Sequence, residues 1–479
     1  MITRVVGWAV SVFYTVERRG APLPEGPVLV VANHLNALVD PMVLFRVAGR
    51  PTRPLAKAPL FEQVLVGGML RGLGGLPVYR RQDDPALMER NEDTFRAAID
   101  ALLAGDALQI YPEGKSHSEP ALEPLRTGAA RIALAAEAEA DEAGEGAAGG
   151  AAEDAEEGAG AAGGAGPGGA PGLGLRVVPV GLTYERKQFF GGRVLAEIGA
   201  PFEVRPWLTA DGAEDQAAVR GLTEEIAERL RALTLNLTEH ADRPLLEAAD
   251  RLWSREKGVH GFREREGMAE RVPRLRRFAE ALAWLRENDP ERYRELAAGV
   301  RRHERLARSL GAEEGDVPPG YAPLSVLRYV LREGAALLVG LPLAALGTVL
   351  WYPVWVAPRL TLRVVRPDVE SVATYKLATG FLAVPLMVLL VALAGFWLWG
   401  WAGALAAGLA APALGLVALA WRARWGRVRE DARLFLRAFG RRRTRGRMAE
   451  RRAALVAAFD RVLAEMAAEG SAASERRSP

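Results

Sequence analysis

The stretch Pro27–Pro41, PVLVVANHLNALVDP, decides how the chain reads. Val28 to Ala32 is a short apolar, β-branched run between turn formers, the pattern of a buried strand, and it feeds directly into Asn33 and His34. Asp40, Pro41 and the apolar run Met42 to Val47 then open a helix, with Asp40 suited to the N-cap and Pro41 to the first helical position. His34 therefore ends a strand and a carboxylate begins the next helix. Crevices at the carboxyl ends of strands are where open α/β sheets bind ligands.

Outward from this stretch, strands and helices alternate. Thr52–Lys57 reads as a strand, Leu60–Leu73 as a helix, Gly75–Arg80 as a strand, Glu92–Ala104 as a helix and Ala107–Gly114 as a strand. Arg176–Tyr184 and Val194–Val204 supply two more strands. Such alternation specifies an α/β fold, a mostly parallel sheet flanked by helices. Upstream, MITRVVGWAVSVFYTVERRG has an apolar segment too short to span a bilayer and no small-residue cleavage site. It reads as an amphipathic or interfacial helix leading into the fold, or equally as a first packed helix. Between helix and strand, 144–172 is almost pure Ala, Gly, Glu and Asp, which buries too little apolar surface to offset ordering and reads as a disordered insertion in a domain spanning 1–212.

The chain has 479 residues, 25% of them charged, so a soluble portion is expected. Lys and Arg (62) nearly balance Asp and Glu (59), so location matters more than the net charge of +3. Without cysteine, disulfides, zinc–thiolate sites and a cysteine nucleophile are excluded. Residues 213–333 read as a charged helical extension. Residues 334–421 read as membrane-embedded helices: 377–421 lacks any charged side chain and is long enough for a helical hairpin, with Gly400 and Gly403 at its turn, each arm needing roughly 20 residues. Segment 334–358 is also uncharged, but Pro342 and Pro353 suit a bent, re-entrant or interfacial helix. The segment 422–479 opens with a dense run of arginines, including Arg441, and reads as a basic cytoplasmic tail contacting anionic lipid rather than nucleic acid.

The inferred sheet brings further chemistry to the His34 edge. Lys57 follows the second strand, Arg80 ends the third, and Glu113 and Gly114 follow the fourth. A base, two carboxylates and two cations around one crevice suit a phosphorylated alcohol, the guanidinium forking onto phosphate oxygens and the ammonium adding a point charge.

Four blocks carry a resemblance. NHLNALVD (33–40), GLPVYR (75–80), YPEGKS (111–116) and VVPVGL (177–182) resemble, in order, the blocks of the glycerolipid acyltransferase family over about residues 1–210. Five residues rather than four separate His34 from Asp40, and Lys115, Ser116, His117 and Ser118 stand where the family commonly continues Thr-Arg-Ser. Lys115 or Arg126 is then left to supply the missing positive charge. The lengthened first block and the Gly-x-Ser-His pattern are similar to the fungal-type glycerol 3-phosphate and dihydroxyacetone phosphate branch.

The resemblance implies a membrane enzyme that moves a fatty acyl group from acyl-CoA or acyl carrier protein to glycerol 3-phosphate or dihydroxyacetone phosphate, with lysophosphatidic acid or another lysophospholipid as the alternative acceptor. It implies His34 as general base, paired with Asp40. It gives Arg80, Lys57, Glu113, Gly114, Lys115, Ser116 and Arg126 to the phosphorylated acceptor and Pro179 to the acyl-donor side. No metal and no cofactor beyond the thioester co-substrate is implied. The bilayer with its anionic lipids is the further partner, and the catalytic domain faces the cytoplasm. The competing reading is a membrane lipid-binding scaffold that keeps the fold without the reaction. His117, His240, His260 and His303 read as surface or packing histidines.

Overall fold

The computed structural model describes residues 2–79, 90–153, 172–240, 242–257, 266–309, 323–438 and 442–475. The chain divides into two units: residues 1–236 together with 369–374, and residues 237–368 with 375–479.

The first unit opens with helix α1 (Ile2–Phe13), strand β1 (Tyr14–Arg19), strand β2 (Val28–Ala32) and helix α2 (Val39–Val47). Strand β3 (Arg53–Lys57), helices α3 (Pro59–Glu62) and α4 (Val64–Gly72), strand β4 (Leu76–Val78), helix α5 (Arg90–Leu103) and strand β5 (Ala107–Ile110) follow. Helix α6 (Gly128–Glu153), strands β6 (Arg176–Tyr184), β7 (Gly192–Ile198) and β8 (Phe202–Glu203), and helix α7 (Gln216–Leu233) complete it. The eight strands lie in the order β1-β7-β6-β2-β5-β3-β4, with β8 beside β6. All pairings are parallel except those of β6 with β7 and with β8, so the mostly parallel sheet is borne out.

Strand alternation assigns the two faces. Leu29 and Val31 of β2 pack with Ala98 and Leu102 of α5, Ile132 and Leu134 of α6, and Leu222 and Ile226 of α7. Val30 faces the other way, with Leu44 and Val47 of α2. Because α7 closes the first of these cores, the unit extends to Asn236, past the boundary expected at 212.

Several local expectations are corrected. Asp40 lies inside α2, whose N-cap is Leu38, so it does not cap that helix. The expected helix 60–73 is two helices parted at Gln63, and strand 194–204 is split into β7 and β8. The segment after α1 is a sheet strand, β1, paired with β7. Helix α6 carries through 144–153 of the expected insertion despite four glycines there, while 154–171 lies outside the described residues.

The second unit contains helices α8 (Asp242–Glu256), α9 (Met268–Asn288), α10 (Pro290–Ser309), α11 (Pro323–Val365), α12 (Val372–Ala438) and α13 (Arg442–Glu475). Helices α8, α9, α10 and α13 pack together. Phe278 lies 5.8 Å from Phe459 between ring centroids, Trp253 Nε1 donates to Asp460 at 2.9 Å, and Arg292 pairs with Glu465 at 2.6 Å. The region expected to be a separate basic tail is therefore joined to the charged extension, and Arg452 pairs with Glu256 at 2.7 Å. Arg441 lies outside the described residues.

Helices α11 and α12 are long and apolar enough to cross a membrane and expose side chains such as Leu338, Val339, Trp397 and Trp401. Helix α12 breaks at Trp399 and Gly400, where the sequence places a turn. Across the break, Gly395 and Gly403 are so close that a Cβ on Gly395 would sit 2.4 Å from the Gly403 carbonyl oxygen. Helix α11 continues past Pro342, Pro353 and Pro358. It meets α12 through Trp351 Nε1 to Ala411 O at 2.8 Å and Trp421 Nε1 to Leu337 O at 2.9 Å.

Candidate active site

Strand β2 lies between β5 and β6, with Val31 opposite Ile110 and Ala32 opposite Val180, so the residues leaving all three strands converge. Asn33 extends the pairing with its side chain, accepting from Leu182 N at 2.7 Å and donating to Leu182 O at 3.0 Å. This fixes the direction in which the chain enters the loop 34–39.

That loop accommodates the additional residue by a turn from Asn36 to Val39, whose N–H donates to Asn36 O at 2.8 Å. Ala37 pays for it in backbone conformation, at φ +36°, in the left-handed region that non-glycine residues avoid. The turn brings Asp40 back onto His34. His34 Nδ1 lies 2.8 Å from Asp40 Oδ2, which also accepts from Leu35 N at 2.8 Å and Asn36 N at 2.7 Å. Tyr184 donates to the other oxygen, Oδ1, at 2.6 Å. Asp40 is fully buried, whereas the His34 side chain keeps 13% of its exposure. An Nδ1–H held by a carboxylate leaves Nε2 as the acceptor nitrogen, the tautomer a general base requires.

Glu113 holds the same loop from behind. Its Oε1 accepts from His34 N at 2.6 Å; its Oε2 accepts from Glu123 N at 2.9 Å and contacts His117 Nε2. His117 Nδ1 accepts from Glu119 N at 3.1 Å, so its Nε2 carries the proton given to Glu113. Tyr111, next after β5, stacks on the imidazole with 4.3 Å between centroids. Its hydroxyl is buried without a hydrogen-bond partner among the described residues, and burial raises it well above the usual phenol range.

The family model described as Acyltransferase matches residues 15–147, which contain this loop and the Glu113 segment. The loop and the Glu113 segment thus lie in a region similar to an acyltransferase domain. Among curated relatives, an uncharacterized acyltransferase of Schizosaccharomyces pombe is 22% identical over 339 residues, covering 51% of this chain and 46% of that protein. Glycerol-3-phosphate O-acyltransferase 2 of Saccharomyces cerevisiae is 28% identical over 170 residues, 34% of this chain and 18% of that protein. The chain thus spans less than half the length of either relative. The crystal structure of the 1-acyl-sn-glycerophosphate (LPA) acyltransferase from Thermotoga maritima is similar at a TM-score of 0.32 and 19% identity, covering 48% of this chain and 76% of that one. The resemblance to glycerolipid acyltransferases read from the four blocks is borne out.

Within the matched region the expected site residues separate. His34, Asp40 and Glu113 come together, but Glu113 is turned inward to the His34 backbone. Lys57 is exposed at the end of β3. Lys115 is exposed and pairs with Glu123 at 3.2 Å. Ser116 is partly buried. The Arg126 side chain lies over Gly114, so close that a Cβ there would meet Nε at 2.5 Å; of the two cations considered for the altered third block, it is the one against the Gly114 turn. Beyond that region, Pro179 is buried mid-strand in β6, its carbonyl accepting from Gly199 N at 2.8 Å. Arg80 lies outside the described residues.

Sequence reading missed Tyr111, Tyr184, Asn36 and Lys187. Asn36 Nδ2 donates to Tyr14 Oη at 3.0 Å and to Lys187 O at 3.3 Å, tying the loop to β1 and to the β6–β7 connection. Tyr111 and Tyr184 could have been found from their places one residue beyond and at the end of strands flanking β2. Nothing in the sequence pattern marks Lys187. Among the described residues no cluster of His, Asp or Glu is arranged to hold a metal.

Proposed function

We propose that the chain is a membrane glycerolipid O-acyltransferase that acylates glycerol 3-phosphate or dihydroxyacetone phosphate from an acyl-CoA or acyl carrier protein thioester. The carrying observation is the 2.8 Å contact of His34 Nδ1 with Asp40 Oδ2 at the carboxyl end of β2. His34 Nε2 takes the proton of the acceptor hydroxyl as its oxygen attacks the thioester carbonyl carbon. The tetrahedral intermediate collapses with cleavage of the C–S bond, and the imidazolium returns the proton to the leaving thiolate. Asp40 holds the tautomer and stabilises the imidazolium.

The names of the yeast relatives favour this chemistry, and the apolar surfaces of α11 and α12 favour a bilayer-bound protein. The test is purified protein in vesicles with labelled acyl-CoA or acyl carrier protein and a panel of glycerol 3-phosphate, dihydroxyacetone phosphate and lysophosphatidic acid. Label entering the first two, and lost in His34→Ala, is the expected result. Label only in lysophosphatidic acid would replace the acceptor; label in none would favour a lipid-binding scaffold.

A further inference from the structure

Lys187 occupies a fixed position in the connection between β6 and β7. Its carbonyl accepts from the Tyr14 hydroxyl and from Asn36 Nδ2, both outside its own connection. Its ammonium donates to Leu35 O at 3.0 Å, to Ser118 Oγ at 2.7 Å and to His117 O at 3.4 Å. Leu35 follows His34 directly, and His117 N donates to His34 O at 3.0 Å. A cation and a hydroxyl are thus built into the immediate surroundings of the candidate base, the cation held by its loop and the hydroxyl by the cation.

An anion already occupies this place. Ser118 Oγ donates to Glu370 Oε1 at 2.5 Å. Glu370 lies in the single helical turn Val369–Ser371 between α11 and α12, and residues 369–374, this turn and the first residues of α12, belong to the first unit. Burial acts to raise the Glu370 carboxyl, but the Ser118 hydrogen bond, with the nearby Lys187, more than offsets it and leaves the carboxyl below its usual range. The carboxylate is therefore stabilised in the form that mimics a ligand anion.

We propose that Ser118 and Lys187 form a phosphate subsite beside His34, and that Glu370 fills it as an internal counter-anion until a phosphomonoester displaces it. A phosphomonoester carries more negative charge than a carboxylate and offers three strong acceptor oxygens, so it competes favourably for an ammonium and a hydroxyl. Lysine suits the exchange because its charge needs no fixed fork geometry. The subsite also supplies positive charge that Lys115, paired with Glu123, does not bring to the loop. The inference deepens the acyl-transfer reading, on which it rests only for the identity of the phosphomonoester.

The test is calorimetric binding to the full chain in nanodiscs, with inorganic phosphate, glycerol 3-phosphate and glycerol as probes. Glu370→Gln should tighten phosphate and glycerol 3-phosphate about tenfold, and Lys187→Met should weaken both about tenfold, the scale of losing one neighbouring charge at partial exposure. Lys187→Arg, which keeps the charge, should bind within a few-fold of the native chain and guards against a folding defect. Glycerol should show no response to any of these changes. Nanodiscs containing lysophosphatidic acid identify the source: a response confined to them supports a lipid-borne phosphate, a response to the soluble probes a free one. Phosphate affinity unchanged in Glu370→Gln, or equal in Lys187→Met and the native chain, would overturn the subsite. Should the variants bind as expected while no acceptor is acylated, the acyl-transfer reading fails and the subsite stands.

Discussion

Tyr184, the last residue of β6, donates its hydroxyl to Asp40 Oδ1 at 2.6 Å, so the carboxylate that orients His34 is itself oriented from a neighbouring strand. The Tyr184 hydroxyl is buried and, with Asp40 beside it, raised well above the usual phenol range, which keeps it a donor. Asp40 thus receives hydrogen bonds from His34, Leu35, Asn36 and Tyr184, and both of its oxygens are committed.

Tyr184→Phe removes one of these donors without removing the ring. The carboxylate keeps its Oδ2 contacts but can rotate, and a lost hydrogen bond to a charged group costs about 1.5–3 kcal/mol. Turnover should fall about tenfold or more with little change in the Michaelis constants, since Tyr184 acts through Asp40. Steady-state kinetics for both substrates checks this; an unchanged turnover number would reduce Tyr184 to a packing residue.

Asp40→Asn is the sharper variant. An amide can accept at its oxygen, but its nitrogen would face either His34 Nδ1 with the wrong polarity or the Tyr184 hydroxyl, which would have to turn from donor to acceptor, and in both cases the negative charge that stabilises the imidazolium is gone. If it faces the ring it places the proton on Nε2 and abolishes the base. Turnover should drop on the order of a thousandfold or more, with His34→Ala at least as severe, while circular dichroism still reports a folded sheet. Activity near the native level in Asp40→Asn would make the carboxylate a loop fastener only.

Ala37→Gly should act in the opposite direction on stability. A left-handed alanine costs roughly 1–2 kcal/mol, and glycine's extra unfolded-state freedom takes back about 0.5–1 kcal/mol. A net gain of about 0.5–1 kcal/mol is expected in denaturant titration of the purified chain, with turnover retained. Ala37→Val should destabilise instead. Equal stability of all three proteins would mean that the loop relaxes around position 37.

What the sequence showed and what it hid follow from range. Strands β2 and β6 are legible because both are unbroken apolar runs buried along nearly their whole length. Strand β1, YTVERR, is polar and exposed toward its end because it lies at the edge of the sheet, so it carries no such run. His34 and Asp40 are close in sequence and could be paired by eye, whereas Tyr184, Lys187 and Glu370 reach the same place only through strand order and a distant turn. The buried Val456, Phe459 and Val462 of α13 are sparse among charges, and their role emerges only against α8–α10.

The chain passes from Asn236 into α8 without an apolar stretch long enough to cross, and α13 packs with α8, α9 and α10, so an even number of crossings is expected between Pro323 and Arg442. The connection 359–376 carries Arg359, Arg363, Arg366 and Lys376, which by the positive-inside tendency puts it on the side of the arginine-rich start of α13, so α11 is expected to end on the side where it began. The contacts of α11 agree with such a path. Leu337 meets Trp421, Trp351 meets Ala411, and Thr361 then meets Thr379 at 3.1 Å. Thr379 and Trp421 lie on opposite arms of α12 at similar distances from its break, and Pro353 and Pro358 stand between the last two contacts of α11, where a helix can bend. This leaves the two arms of α12 as the membrane hairpin, with α11 entering and returning. Because the chain has no native cysteine, single cysteines report directly. Glu119→Cys, Ser371→Cys and Arg445→Cys should react with an impermeant maleimide from one face of sealed vesicles, and Trp401→Cys, beside the break, from the other. Labelling of position 371 or 445 from the face opposite position 119 would overturn this path.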